Sequence, residues 1–184
     1  MFGKEWKPRG ARAYVSDFEQ TLSGEFVYIG AVYAYSAAKS KYSRSKTVGL
    51  AWLWGAAAVL LAAAEGFVPG GGMMNCPYVI LPFAAEFLSA CSVIWALVRL
   101  SGNRDPIREY VYTATVTALP GRALLTAILA AAAAVGEFVF NLLHPGEVTA
   151  AAWLVILLMA GTAAAALLLR RVMRGAVWEL QGKE

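Results

Sequence analysis

The sequence predicts an all-α integral membrane protein, built as a bundle of four transmembrane helices. Three observations lead to this prediction: 59% of the 184 residues are hydrophobic, only 15% are charged, and the charges are very unevenly distributed. So apolar a composition exceeds what the core of one small soluble domain needs. We therefore expect most of the chain to lie in a lipid bilayer.

The positions of lysine and arginine divide the chain. All 16 of these residues lie in three segments, with eight in residues 1–47, four in 99–122 and four in 170–184. The two blocks between them, 48–98 and 123–169, carry no Lys or Arg. A hydrocarbon core about 30 Å thick needs ~20 helical residues per crossing. Each block is thus about long enough for two spans.

Proline and glycine separate the two spans within each block. The first block is broken from Pro69 to Pro77, and the second is broken at His144-Pro145-Gly146. The run Gly70–Gly72 has no strand before it and no lysine after it, so we interpret it as a flexible turn rather than a phosphate-binding loop. The predicted organisation is an arm at 1–47, a transmembrane domain at 48–170 with spans 48–68, 77–99, 122–143 and 149–170 and a loop at 100–121, and a tail at 171–184.

The basic segments also predict how the chain is oriented. An even number of spans places the arm, the central loop and the tail on one side, and the positive-inside rule makes that side cytoplasmic. We expect a multi-pass plasma-membrane protein with both termini in the cytoplasm. Because the basic residues flank span ends among Trp and Tyr side chains, their expected partner is a bilayer with anionic headgroups, not nucleic acid.

The arm is expected to form an amphipathic helix on the inner membrane surface. Ser16 and Glu19 fit a capping box, and apolar residues then recur at steps of three or four. The apolar stretch 26–38 is too short to cross the bilayer. A strand is the competing interpretation, because Val and Tyr favour sheets and Gly24 and Gly30 weaken a helix. We favour the helix, because a lone strand would leave its edges unpaired.

The two halves of the chain share an order of features: amphipathic segment, span, outer turn, span. The sequence Glu-Phe-Val-Tyr at 25–28 resembles Glu-Tyr-Val-Tyr at 109–112, and an alanine-rich span in each half carries a glutamate, Glu65 or Glu137. The offset falls from 84 residues at the first motif to 72 at the glutamates, so an insertion must be assumed. A tandem two-helix repeat is one hypothesis. Chance similarity between alanine-rich helices is the other.

Three glutamates lie inside predicted spans, where an ionisable side chain costs about 2.5 to 3.5 kcal/mol near the bilayer centre. Glu86 lies roughly 14 Å into its span, while Glu65 and Glu137 lie closer to the outer ends. We expect all three to face the bundle interior. Asn141 and His144 follow Glu137 at i+4 and i+7 on one helical face. The candidate intramembrane polar or ion site therefore comprises Glu86, Glu65, Glu137, Asn141 and His144.

Two functions are compatible with these features. We place first a non-catalytic membrane partner or scaffold subunit, because four short spans with short outer loops leave little room for a translocation route. The alternative is a small proton- or cation-coupled transporter or channel-like protein that uses the glutamates. Faces rich in alanine and glycine suit either a homo-oligomer or a membrane-protein partner.

Catalysis is not expected from this sequence. His144 is the only histidine, which excludes a multi-histidine metal site and leaves Ser or Cys nucleophiles without an evident base. We therefore expect no metal and no cofactor. The remaining basis for an enzyme would be a cluster of Glu137, Asn141, His144 and Glu147 at the outer mouth of the bundle.

Overall fold

The computed structural model describes residues 18–20 and 26–183, and four of its helices are long and apolar enough to cross a membrane. The prediction of a mostly helical membrane bundle is confirmed. The four long helices are α1, α3, α5 and α6. In chain order the elements are β1 (Phe18–Gln20), β2 (Phe26–Tyr28), β3 (Ala31–Tyr35), α1 (Arg44–Glu65), α2 (Gly71–Asn75), α3 (Pro77–Ser101), β4 (Ile107–Arg108), α4 (Glu109–Tyr112), α5 (Leu119–Leu143), α6 (Ala150–Arg174) and β5 (Trp178–Lys183).

Local signals account for where the long helices begin. Ser43 and Thr149 cap α1 and α6, each accepting a hydrogen bond from a backbone N–H three residues further on. Pro77 stands in the first turn of α3, where a missing N–H costs nothing. A π-helical turn joins α4 to α5, so the helical path there starts well before the predicted span.

The four long helices form a closed ring in which α1 and α5 each pack against both α3 and α6. Small residues allow close approach at the seams: a Cβ at Gly55 of α1 would lie 2.6 Å from Leu97 Cδ1 of α3. We call the end with the start of α1 and α5 the basic end, because the Lys and Arg residues lie there. The opposite end, with α2, is the distal end.

The arm is the main correction to the predicted fold. Where the arm is described, Phe18–Gln20, Phe26–Tyr28 and Ala31–Tyr35 are strands, not parts of a helix. The argument against a strand assumed unpaired edges. Instead, β3 is the central strand of an antiparallel sheet ordered β4-β3-β5, with Val32 opposite Arg108 and Tyr33 opposite Leu180. The rest of the predicted arm helix, before residue 18 and at 21–25, lies outside the described residues.

Aromatic side chains pack this sheet against the basic end of the bundle. Tyr33 stacks on Tyr112 with ring centroids 4.0 Å apart, and Trp178 packs edge-on against Tyr35. The Tyr35 hydroxyl donates to the Tyr42 carbonyl at 2.6 Å, just before α1. Arm, central loop and tail are therefore one structural unit, although they are far apart in sequence.

The two tetrapeptides behind the repeat hypothesis have different structures. Phe26–Tyr28 forms strand β2, whereas Glu109–Tyr112 forms helix α4. Their similarity in sequence therefore does not extend to conformation. The ring of two helical hairpins is compatible with a duplication, which stays a hypothesis.

Candidate functional site: buried glutamates

Three glutamates are completely enclosed by the bundle. Glu65, Glu86 and Glu137 each have 0% of their surface exposed. They come from three different helices, α1, α3 and α5, and all lie in the distal half or near the middle of the ring. Their side chains face the interior, as expected for carboxyl groups that lipid cannot solvate.

Glu65 and Glu86 form a pair between neighbouring helices, and Thr162 of α6 lies beside them. The Thr162 hydroxyl donates to Glu65 Oε1 at 2.8 Å. The carboxyl of Glu86 interacts electrostatically with Glu65 and lies close enough to the Thr162 hydroxyl to interact with it as well. We call Glu65 and Glu86 the glutamate pair. With Thr162 they form one polar cluster, to which three of the four long helices contribute.

The carboxyl oxygens of this cluster are poorly satisfied. In the described part of the chain, both oxygens of Glu86 and Oε2 of Glu65 are buried without a hydrogen-bond partner. Buried polar groups normally have partners, and a buried charge without one is strongly unfavourable. The three oxygens are therefore available to a bound proton or cation.

Glu137 is held quite differently, by the backbone of α2. Gly72 N–H donates to its Oε1 at 3.3 Å and Met73 N–H donates to its Oε2 at 3.0 Å. A Cβ at Gly70 would lie 3.1 Å from Oε1, and one at Gly72 would overlap Oε2. Glycine is therefore required for the backbone to come so close. The flexible-turn interpretation of Gly70–Gly72 is wrong, because this run starts a short helix that binds a carboxylate.

Asn141 and His144 do not join the glutamate pair in one site. Asn141 is 6% exposed, and its Nδ2 has no partner among the described residues. His144 is exposed at the end of α5, where its ring stacks on Phe140 with centroids 4.3 Å apart. The side chain of Glu147 lies outside the described part. The four-residue cluster considered for catalysis therefore stays an untested hypothesis.

Thr162 is the site residue that the sequence analysis missed. It is fully buried and stands directly between Gly161 and a run of alanines. In an otherwise apolar span, a single threonine on the inner face was the signal available. Ser89, one turn from Glu86, makes a similar polar contact, since its hydroxyl lies 2.8 Å from that of Thr126.

The surroundings of the glutamate pair differ at the two ends. Towards the basic end the core is closed by large apolar side chains such as Leu97, Leu100 and Leu169. At the distal end, a cavity of about 520 Å³ lies where α1 ends, directly after Glu65. Its lining includes Phe83, one turn before Glu86. The cavity lining includes neither glutamate. A second apolar cluster, with Val79 and Met159, packs against Phe83 at this end.

The described residues contain no group of three His, Cys, Asp or Glu side chains placed to hold a metal ion. Comparisons with known proteins return no family model, no curated protein and no solved structure that matches this chain. The functional argument therefore depends on the geometry alone.

Proposed function

We propose that this protein is a small, non-catalytic membrane transport or channel-like protein in which Glu65 and Glu86 bind a proton or a monovalent cation. The observation that carries the proposal is the carboxyl group of Glu86, which is buried beside Glu65 and near the Thr162 hydroxyl, with neither oxygen in hydrogen-bond geometry with a partner among the described residues. Intramembrane carboxyl groups are costly and commonly mark proton or ion pathways. The sequence alone favoured a scaffold, and this pair reverses that order.

Thr162 supports the proposal because its hydroxyl can hydrogen-bond to Glu65 whether the Glu65 carboxyl is ionised or protonated. Its hydroxyl lies 2.8 Å from Glu65 Oε1 and 3.2 Å from the Leu158 carbonyl oxygen, and it has one proton to donate. With Glu65 ionised, Thr162 donates to the carboxylate. With Glu65 protonated, the carboxyl donates to Thr162, which then donates to Leu158. The cluster can accept and release a proton without leaving Thr162 unsatisfied.

The packing of the bundle limits what the mechanism can be. Apolar clusters lie at both ends of the bundle, and the one at the basic end contains the larger side chains Leu97, Leu100 and Leu169. The distal cavity reaches Gly66, the residue that follows Glu65 in the chain. Binding from the distal side is thus the first step, and release to the other side requires the helices to move. This behaviour is alternating access rather than an open pore.

The proposal predicts that Glu86→Gln abolishes ion flux. The test measures proton and monovalent-cation flux in proteoliposomes that contain equal amounts of folded parent or variant. Glu109→Gln makes the same substitution at the basic end and should leave flux unchanged. An infrared carbonyl band from a protonated carboxyl, present in the parent and missing in Glu86→Gln, is expected as well. A well-folded parent without flux would rule out the transport proposal.

A scaffold or partner subunit remains the second candidate, and the sheet at the basic end favours it. Strand β5 carries Leu180, which is 61% exposed although it is a large apolar side chain outside the bundle. A photo-crosslinking residue at position 180 should then capture one defined membrane protein in cells. Substitution of Leu180 by glutamate should prevent copurification of that protein without changing the folded amount.

We also propose that the basic end faces the cytoplasm across a plasma membrane. Lys and Arg residues flank the four spans at the basic end, whereas the connections at the distal end contain no Lys or Arg. Such an asymmetry sets orientation during insertion.

A further inference from the structure

A groove between α1 and α6 at the basic end combines cations with an apolar floor. Its volume is about 410 Å³. Lys41 and Arg171 lie at its mouth, and Leu50, Trp54 and Leu168 continue it towards the middle of the bundle. Trp54 is ten residues into α1, roughly 15 Å along the helix axis. The groove is therefore polar at the level of headgroups and apolar at the level of acyl chains.

The cations at the mouth have no carboxylate partner. Among the described residues the one salt bridge joins Lys39 to Glu179, so Lys41 and Arg171 are not neutralised by the protein. Lys41 is fixed near the mouth, because its backbone N–H donates to the Gly175 carbonyl at 3.2 Å. Its ammonium group and that of Lys46 lie over the Tyr42 ring, 5.4 and 5.1 Å from the centroid.

We propose that this groove is a binding site for one anionic phospholipid from the leaflet at the basic end. The phosphodiester would lie between Lys41 and Arg171, and one acyl chain would follow Leu50, Trp54 and Leu168. The lining contains two cations and no carboxylate, so it has no acceptor for the ammonium group of a zwitterionic headgroup. The groove thus selects a net negative lipid such as phosphatidylglycerol. This site is independent of the glutamate pair.

The site can be tested by counting the lipids that the full chain retains. The chain is purified in mild detergent, given phosphatidylglycerol and phosphatidylcholine with the same acyl chains, and analysed by native mass spectrometry. We expect the parent to prefer phosphatidylglycerol. Lys41→Gln and Arg171→Gln should each reduce this preference about fivefold. Arg174→Gln removes the same charge one turn further along α6, outside the groove, and should leave the preference nearly unchanged.

A second variant separates a lipid site from a phosphate site. Leu168→Trp fills the apolar part of the groove while keeping both cations, and this position is exposed enough to accept a larger side chain. It should prevent phosphatidylglycerol binding. Efficient competition by inorganic phosphate would show a headgroup-only site and overturn the proposal. Equal retention of both lipids by the parent, or equal losses in Arg171→Gln and Arg174→Gln, would overturn it too.

Discussion

Glu86 and Glu137 show that burial alone does not decide the role of a carboxyl group. Both are fully enclosed, yet Glu137 accepts two backbone N–H bonds while neither oxygen of Glu86 has a partner among the described residues. Two donors stabilise a carboxylate in place and make it part of the fold. In our proposal, the less satisfied carboxyl of Glu86 binds a proton or a cation instead. The same residue type therefore serves structure in α5 and, in our proposal, ion binding in α3.

The structural role of Glu137 can be tested at Gly72. A methyl group there would overlap Glu137 Oε2 and lie 3.1 Å from Phe140 Cβ, so α2 must move away from α5. We expect Gly72→Ala to lower the free energy of unfolding by about 1 to 3 kcal/mol. Unfolding in mixed micelles would measure it. Gly146→Ala is the matched control at the same end, because nothing lies within 4 Å of its added Cβ. Equal effects of the two substitutions would contradict the proposed role of Gly72 in holding Glu137.

The ion pair between Lys39 and Glu179 predicts a pH dependence for the attachment of β5. The hydrogen bond from Lys39 lowers the pKa of Glu179, and the hydrogen bond and charge of Glu179 raise the pKa of Lys39. The Glu179 contribution is present above its unfolded pKa and lost as pH falls through the lowered folded value. The Lys39 contribution is present below its unfolded pKa and lost as pH rises through the raised folded value.

Strand β5 should consequently be held best between the ordinary carboxyl and lysine pKa values. Both side chains are exposed, so we expect a small effect. Protease protection of the tail across this range would measure it. Lys39→Met should make the acid limb shallower, because the carboxylate then keeps only the weaker interaction with Ser36. An unchanged acid limb in Lys39→Met would exclude this pair as its cause.

At the scale of elements, helices and strands differed in how far the sequence predicted them. The four spans follow from composition and breakers within each segment, and a lipid-facing segment has little alternative to a helix. Strand β3 depends on β4 and β5, which lie more than 70 residues later in the chain. The local sequence of β3 was compatible with either a helix or a strand. Only its pairing with strands that are distant in sequence decides between the two.

The candidate site was also predicted only as far as local sequence allows. The sequence predicted Glu65, Glu86 and Glu137 as inward-facing groups from their cost in lipid alone. It did not predict that Glu137 meets the backbone of α2, because that contact joins residues 64 or 65 positions apart. Nor did it predict the pairing of Glu65 with Glu86, which depends on how α1 rotates against α3.

The packing of α3 against α5 predicts a steric limit at Gly136. A Cβ at this position would lie 3.2 Å from both the Tyr78 carbonyl oxygen and Val79 Cγ2, and the backbone oxygen cannot rotate away. We expect Gly136→Leu to separate the two helices and to cost about 1 to 3 kcal/mol of stability. Gly121→Leu is the control on the same helix, since its added Cβ meets nothing within 4 Å. Stability can be compared by thermal unfolding in detergent, where similar melting temperatures would argue against a tight seam.

At the scale of the whole molecule, the polar groups are divided between the two ends. Cations, the sheet and the lipid groove occupy the basic end, while the glutamate pair and the distal cavity lie towards the other. Between them the core is largely apolar, with the Ser89–Thr126 hydrogen bond as a polar contact within it. In our proposal, the pair exchanges its ion through motion of the distal halves of the helices, because the sheet and the apolar core hold the basic end.

The orientation of this molecule can be measured with single cysteines. Ala38 lies in an exposed turn at the basic end, and Gly146 lies in an exposed turn at the distal end. Each is replaced by cysteine in a background with Cys76→Ser and Cys91→Ser. The positive-inside rule predicts that a membrane-impermeant maleimide labels Gly146→Cys in intact cells and Ala38→Cys only after permeabilisation. A permeant maleimide should label both and serves as the control. The reverse pattern would place the basic end outside, and labelling of both variants in intact cells would mean that the chain inserts in two orientations.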